Sequence, residues 1–479
     1  MTLFSRLAEL AIAQPARPAL CDARREIDYA SLWQQVQQLA QRLRTAQVQR
    51  LALALDNGPD WAIADLAAML AGIVVIPLPP FFTAAQQQWV LESSGADALI
   101  GAPRTGWRRA PDFSLPLQRC QPVAPPVLPA GTAKITYTSG STGQPKGVCL
   151  SLDHLQRVSQ ALADRVMPAA VSHHLTLLPL ATLLENISGL YVPLLSGVSS
   201  RIPALSEVGF AGARQFSAAQ LAAALQRWQP HSLVLVPELL RLLVMVCQQQ
   251  PALATSLRLV AVGGGKVSPA LVELAQHIGI PLCEGYGLSE CGSVVALNAP
   301  GAGRPGTAGQ PLPHCEVTLA ADGEILVRGA GMLGYLGDAP APVQIATGDL
   351  GQLDADGYLT ITGRKKNIQI TAWGRNFAPE WVEAEAQLFP AIGRLLIFGD
   401  GLPANVALIQ PTPGGESALA EQVMQLNQRL PDYAQVHHYL TVDFSAERNW
   451  STANGRLRRA AVYADWQSRI QQCVTGESA

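Results

Sequence analysis

Apolar and polar positions alternate along the chain in two rhythms. Short unbroken apolar runs, "RLALAL" at 50–55, "GIVVIPL" at 72–78, "SLVLVP" at 232–237 and "LRLVAVGG" at 257–264, read as strands buried on both faces. Between them, "ASLWQQVQQLAQRL" (30–43) and "AAQLAAALQRW" (218–228) space their apolar residues as one face of a helix. Strand-sized and helix-sized segments in alternation predict an α/β body of mostly parallel sheets covered by helices. The rhythm changes at about residues 305–362, where "CEVTLAADGEILVRG" and "GDLGQLDADGYLTITG" place strands around Asp-Gly turns and predict a β-rich subdomain. After Gly363 the chain offers "GRKKN", a short helix at about 379–388, further strands and a helix near 416–430, which is a small α+β module. No internal repeat is visible.

Two apolar stretches raise the question of a membrane. The N-terminal "MTLFSRLAELAIAQPARP" has Arg6 and Glu9 inside it and no small-residue cleavage site, so it predicts an amphipathic helix rather than a signal peptide. "WAIADLAAMLAGIVVIPLPP" (61–80) carries Asp65 and ends in a cluster of prolines, which predicts a helix feeding a buried strand and no membrane span. With 479 residues, 48% of them hydrophobic, the chain is long enough for several cores. A formal charge of −2 without a long basic run argues against a nucleic-acid partner. Its eight cysteines include no CxxC pair, which predicts reduced thiols and a cytoplasmic location.

One loop stands apart chemically. "YTSGSTGQPKGV" (137–148) follows the strand "AKITYT" and precedes "VCLSLDHLQRVSQAL", a strand and then a helix with Leu155, Val158 and Leu162 on its apolar face. Glycines free backbone N–H groups to turn toward a ligand, hydroxyls add donors, and Lys146 supplies a cation. Thr138, Ser139, Gly140, Ser141, Thr142, Gly143 and Lys146 are therefore candidates for holding a polyphosphate. The spacing is not that of a P-loop, since Lys146 is followed by Gly147 and a strand; a plain turn is the alternative reading.

The same loop closely resembles the phosphate-loop signature of the adenylate-forming superfamily, which includes acyl-CoA synthetases, peptide-synthetase adenylation domains and luciferases. "IDYASL" (27–32), "LPLATLLENISG" (178–189), "EGYGLSE" (284–290), "GEILVRGAGMLGYL" (323–336), "ATGDLG" (346–351), "GRKKNIQITAWGRNFAPE" (363–380), "LPDY" (430–433) and "TANGRLRR" (452–459) resemble further motifs of that family, in its order. The wording is most similar to fatty acyl-CoA synthetases. The resemblance implies ATP-dependent activation of a carboxylic acid to an acyl-adenylate with release of pyrophosphate, then transfer to the thiol of CoA or of the phosphopantetheine on an acyl carrier protein.

It also implies roles. Glu290 would be a Mg2+ ligand, a hard oxygen for a hard cation. Asp349 would accept hydrogen bonds from the ribose hydroxyls, and Arg364 would meet the nucleotide through its planar fork. Gly264, Gly265, Glu284, Gly285, Tyr286, Gly287 and Ser289 would line the nucleotide site. For the run Gly263–Gly265 a helix-entry turn is equally compatible with the residues alone. Residues 1–364 would form a large domain and 365–479 a small one that rotates about Lys366. One position departs from the family: Arg456 stands where a catalytic lysine is usual, and arginine is bulkier and differently hydrated. A nucleotide- and acyl-binding protein with impaired adenylation is the alternative that this departure raises. Leu184, with Glu185 beside it, falls where peptide-synthetase domains carry an aspartate for an amino group, so an apolar acid is expected over an amino acid. Arg456, Arg458 and Arg459 together form a basic run suited either to solvent or to an acidic carrier protein.

Overall fold

Two large sheets, of eight and nine strands, make the body of the molecule. In the computed structural model the described residues are 2–479 except 112, 123, 139–144, 211–215, 330, 453–454 and 476–479, with the side chain of 448 also left aside. Arg50–Ala54, Val74–Pro77 and Ala98–Gly101 run parallel at the centre of the eight-stranded sheet, and Thr132–Thr138 lies parallel to Val74–Pro77. Lys146–Ser151 then returns antiparallel to Thr132–Thr138, pairing Thr138 with Lys146. The predicted phosphate loop is thus a link between adjacent strands, and its residues Ser139 to Gly143 lie outside the described residues. The nine-stranded sheet is parallel through His173–Leu175, Ser199–Arg201, Ser232–Leu235, Leu259–Val262 and Leu282–Tyr286.

The helices form where the periodicity placed them. Tyr29–Thr45 starts at Asp28, whose side chain accepts from the Ser31 amide, and it buries Leu32, Val36, Leu39 and Leu43. Pro59–Leu70 is buried on nearly every side, which explains its lack of a polar face. Asp65, in the middle of that helix, is fully buried and paired with Lys134 at 2.7 Å. Lys134 Nζ also meets the hydroxyl of Tyr191 at 2.7 Å and Asn186 Oδ1 at 2.5 Å. These two partners bracket the π-helical turn Asn186–Tyr191. A π turn is a rare conformation that needs support from outside the helix, and the ionic cluster supplies it here.

Glu316–Leu319, Glu324–Arg328, Gln344–Leu353 and Leu359–Arg364 build the expected β-rich piece as an antiparallel four-stranded sheet. Beyond it stand the hairpin Gln369–Ile370 and Asn376–Phe377, the helix Pro379–Glu385, and a three-stranded sheet of Ile392–Phe398, Val406–Pro411 and His438–Thr441. One long element was not anticipated: the helix Arg459–Thr475, which closes the chain against Phe398, Phe444 and Trp450. No helix among the described residues is long and apolar enough to cross a membrane, and all eight cysteines are free thiols.

Candidate active site

Asp349 lies opposite Arg364 in the register of two antiparallel strands, which brings Arg364 Nε to 2.8 Å from Asp349 Oδ1. The other oxygen, Oδ2, accepts from the hydroxyl of Tyr286 at 2.8 Å. Tyr286 is the last residue of the strand Leu282–Tyr286, so the end of the nine-stranded sheet and the four-stranded sheet converge on this carboxylate. Burial and the charge of Asp349 hold the Tyr286 phenol far above its ordinary value, so it stays a donor. A carboxylate offers about four lone-pair sites, and these two bonds leave room for a ligand's hydroxyls.

A second cluster forms around Glu290, in the short turn Ser289–Cys291. Its Oε1 accepts from the Tyr335 hydroxyl at 2.8 Å, while its carbonyl accepts from the Met332 amide at 2.7 Å. Tyr335 belongs to a short strand paired with Lys146–Ser151, and the ammonium of Lys146 sits 5.2 Å from the Tyr335 ring centroid. Lys146 and Glu290, far apart in sequence, are therefore bridged by one aromatic side chain. Beside them opens a pocket of about 230 Å3 lined by Trp89, Tyr137, Lys146, Tyr335 and Asp338. Tyr335 was not among the expected site residues; the signal was its place in "GEILVRGAGMLGYL".

The glycines divide by role. A Cβ on Gly287 would stand 1.7 Å from the Ser293 carbonyl oxygen, so that glycine is required for backbone to pass backbone. Gly285 likewise faces Leu297 and Ala296. Gly264 adopts φ +80°, in the left-handed region, and its carbonyl accepts from the guanidinium of Arg456. Gly265 packs on Pro237. Ser289 gives its carbonyl to the Gly292 amide, and Thr138 closes the strand ahead of the loop. Glu284 spends its Oε1 on the amide of Gly306 at 2.8 Å, and burial pushes its carboxyl up to about 7.

Arg456 comes from the far end of the chain, yet it shares this neighbourhood. Desolvation is the largest influence against its charge, Arg364 adds to that, and Glu238 and Asp349 favour it. Two arginines of the "RLRR" run have different partners, Arg456 at the Gly264 carbonyl and Arg459 turned inward. Arg459 binds the Ile397 carbonyl at 2.6 Å, pairs with Glu383 and stacks on Phe398, so its side chain is only 17% exposed. Leu184 is partly buried against the main core. Glu185 is fully buried and receives His174 Nε2 at 3.1 Å, while His174 Nδ1 lies 2.9 Å from the Ser232 hydroxyl.

Comparison with known proteins decides the family. The model of the AMP-binding enzyme family matches residues 7–336, and that of the AMP-binding enzyme C-terminal domain matches 367–478. The chain belongs to the AMP-binding enzymes. Among its relatives is a long-chain-fatty-acid–CoA ligase, FadD15, of Mycobacterium bovis, 29% identical over 74% of this chain and 71% of that protein. Another is an indoleacetate–CoA ligase of Aromatoleum aromaticum, 28% identical over 81% of this chain and 82% of its own length. The fold is that of an anthranilate CoA ligase solved with anthranoyl-AMP, with TM-score 0.80, 19% identity and 97% of each chain covered. The adenylate-forming resemblance and the α/β architecture with its C-terminal domain hold.

Proposed function

We propose that this AMP-binding enzyme is an AMP-forming acid–CoA ligase acting on an apolar carboxylic acid. The observation that carries the reading is the meeting of Arg456 with the Gly264 carbonyl, beside the Asp349–Arg364 pair. A cation from the small domain is thereby held where a carboxylate and an α-phosphate, both anionic, would have to approach one another. Asp349 holds the ribose, with Tyr286 and Arg364 fixing its two oxygens. The loop through Ser139, Gly140, Ser141, Thr142 and Gly143, flanked by Thr138 and Lys146, holds the β- and γ-phosphates.

Glu290 fits a magnesium site, being a partly exposed carboxylate oriented by Tyr335, whose ring the Lys146 ammonium faces at 5.2 Å. Bound there, Mg2+ would neutralise phosphate charge and help pyrophosphate depart. In the first half-reaction a carboxylate oxygen attacks the α-phosphorus and the bond to pyrophosphate breaks. In the second, a thiolate attacks the acyl carbon and AMP leaves. Between them the small domain, 365–479, turns about Lys366, which lies in the exposed turn Lys365–Asn367 after the strand that ends at Arg364.

An apolar acid is supported by Leu184 at the position discussed above, and by relatives named for long-chain fatty acids and indoleacetate. A buried methylene is worth about 0.8 kcal/mol, whereas a charged substrate group would need a partner. CoA is favoured as acceptor, because the interior contacts of Arg459 remove part of the basic surface that a carrier protein would use. ATP–pyrophosphate exchange against fatty, aryl and amino acids, followed by thioester detection with CoA and with a carrier protein, tests the reading. Exchange dependent on apolar acids and a CoA product support it. Exchange with amino acids alone would sink the substrate assignment, and nucleotide binding without exchange would leave a binding protein.

A further inference from the structure

Helix Pro237–Gln249 carries two charged residues one turn apart, Glu238 and Arg241, and both act on the C-terminal part of the chain. Arg241 donates from Nη1 to the Ile392 carbonyl and from Nη2 to the Phe389 carbonyl, each at 2.8 Å. Its acceptors are main-chain oxygens beyond the Lys365–Asn367 turn, and among the described residues no carboxylate pairs with it. A second contact lies beside the first. The Ser268 hydroxyl donates to Glu385 Oε1 at 3.0 Å, with Glu385 Oε2 held by Arg429 at 2.9 Å. Leu388, between them, packs against the core that contains Leu239, Leu240 and Leu271. Segment 385–392 is therefore gripped by one guanidinium fork, one hydroxyl and one leucine.

The chemistry of the grip bears on its purpose. A guanidinium on neutral carbonyls forms charge-assisted hydrogen bonds, yet it can return to water without stranding a buried counter-charge. A contact made to be permanent would more readily use the ion pairing seen at Lys134 and Asp65. The same helix begins at Pro237, against Gly265, and its Glu238 favours the charge of Arg456. We infer that Arg241 is a positioning residue for the first half-reaction, a releasable clasp that holds the small domain where Arg456 reaches the Gly264 carbonyl. This rests on the proposed two-orientation reading; the grip itself is independent of it.

The test uses the full-length protein and the variants Arg241→Met and Arg241→Lys, with dyes on unnatural amino acids at the exposed positions Gln88 and Gln425. Energy transfer without substrates reads the orientation of the small domain, and the melting midpoint checks that each variant is folded. The clasp predicts a broadened transfer distribution in Arg241→Met and partial restoration in Arg241→Lys. It also predicts pyrophosphate exchange lower on the order of a hundredfold in Arg241→Met, since two charge-assisted bonds are lost together, with CoA thioester formation from synthetic acyl-adenylate preserved. An unchanged distribution in a folded Arg241→Met variant overturns the clasp. A broadened distribution with both half-reactions reduced equally keeps the grip but overturns its assignment to the first half-reaction, and with it the two-orientation reading.

Discussion

Tyr286 and Asp349 meet at the seam between the nine-stranded and the four-stranded sheets, the phenol oxygen donating its proton to Oδ2 across 2.8 Å. The contact fixes one oxygen of a carboxylate that is itself only 5% exposed, and Arg364 fixes the other. Two sheets of different construction thus aim a single acceptor.

If Asp349 holds the ribose, Tyr286→Phe should weaken AMP binding by about tenfold, the worth of one hydrogen bond to a charged group. Titration calorimetry with AMP measures it directly. Undiminished affinity in the phenylalanine variant would mean that Asp349 serves the fold and not the nucleotide.

The buried Lys134–Asp65 pair predicts a strong asymmetry between single and double substitutions. Lys134→Met leaves Asp65 without its cation in a dry interior and should cost about 3–5 kcal/mol. Lys134→Met with Asp65→Leu should recover most of that loss, because neither charge is then stranded. Urea unfolding of the three variants decides it; equal destabilisation by the single and the double change would contradict the role given to the pair.

Stability should respond to pH through two groups of opposite sign. Burial pushes His314 down to about 4, so the unfolded chain binds this proton near 6.5 and the folded chain does not. Its contribution is fully present above about 6.5 and is lost as pH falls toward about 4. Glu284 is the reverse case: its folded value near 7 lies above the unfolded carboxyl's 4.5, so its contribution is present below about 4.5 and lost as pH rises through about 7. Between these limits the two slopes oppose each other. His314→Asn should make the protein relatively more stable toward acid, and Glu284→Gln should do the opposite, as melting midpoints from pH 4.5 to 7 will read. Parallel shifts in both variants would refute this assignment.

The sequence made much of this architecture legible because its signals are local. Apolar runs such as "RLALAL" became the parallel centre, and the Asp-Gly turns became hairpins, since strand and turn chemistry act over a few residues. The helix Arg459–Thr475 escaped because only Val462 and Ile470 of its 17 residues are buried, too thin a stripe to show as a period. Lys134 escaped for another reason: its partners Asp65, Asn186 and Tyr191 lie 69, 52 and 57 residues away. Asp65 was visible only as an interruption in an apolar run. In the site, motif order singled out Glu290, Asp349, Arg364 and Arg456, but not that Tyr335 joins Lys146 to Glu290, which depends on how strands pair across the fold.

Under the proposed function, Arg456 performs the work for which the resemblance implies a lysine. The most direct measurement is acid-dependent ATP–pyrophosphate exchange in the wild type, Arg456→Lys and Arg456→Ala, alongside thioester formation from synthetic acyl-adenylate and CoA. The account predicts exchange in the wild type, its retention in substantial part by the lysine variant, and a loss on the order of a hundredfold in the alanine variant, with thioester formation kept. Exchange that appears only when lysine replaces Arg456, or that survives intact in the alanine variant, would contradict it.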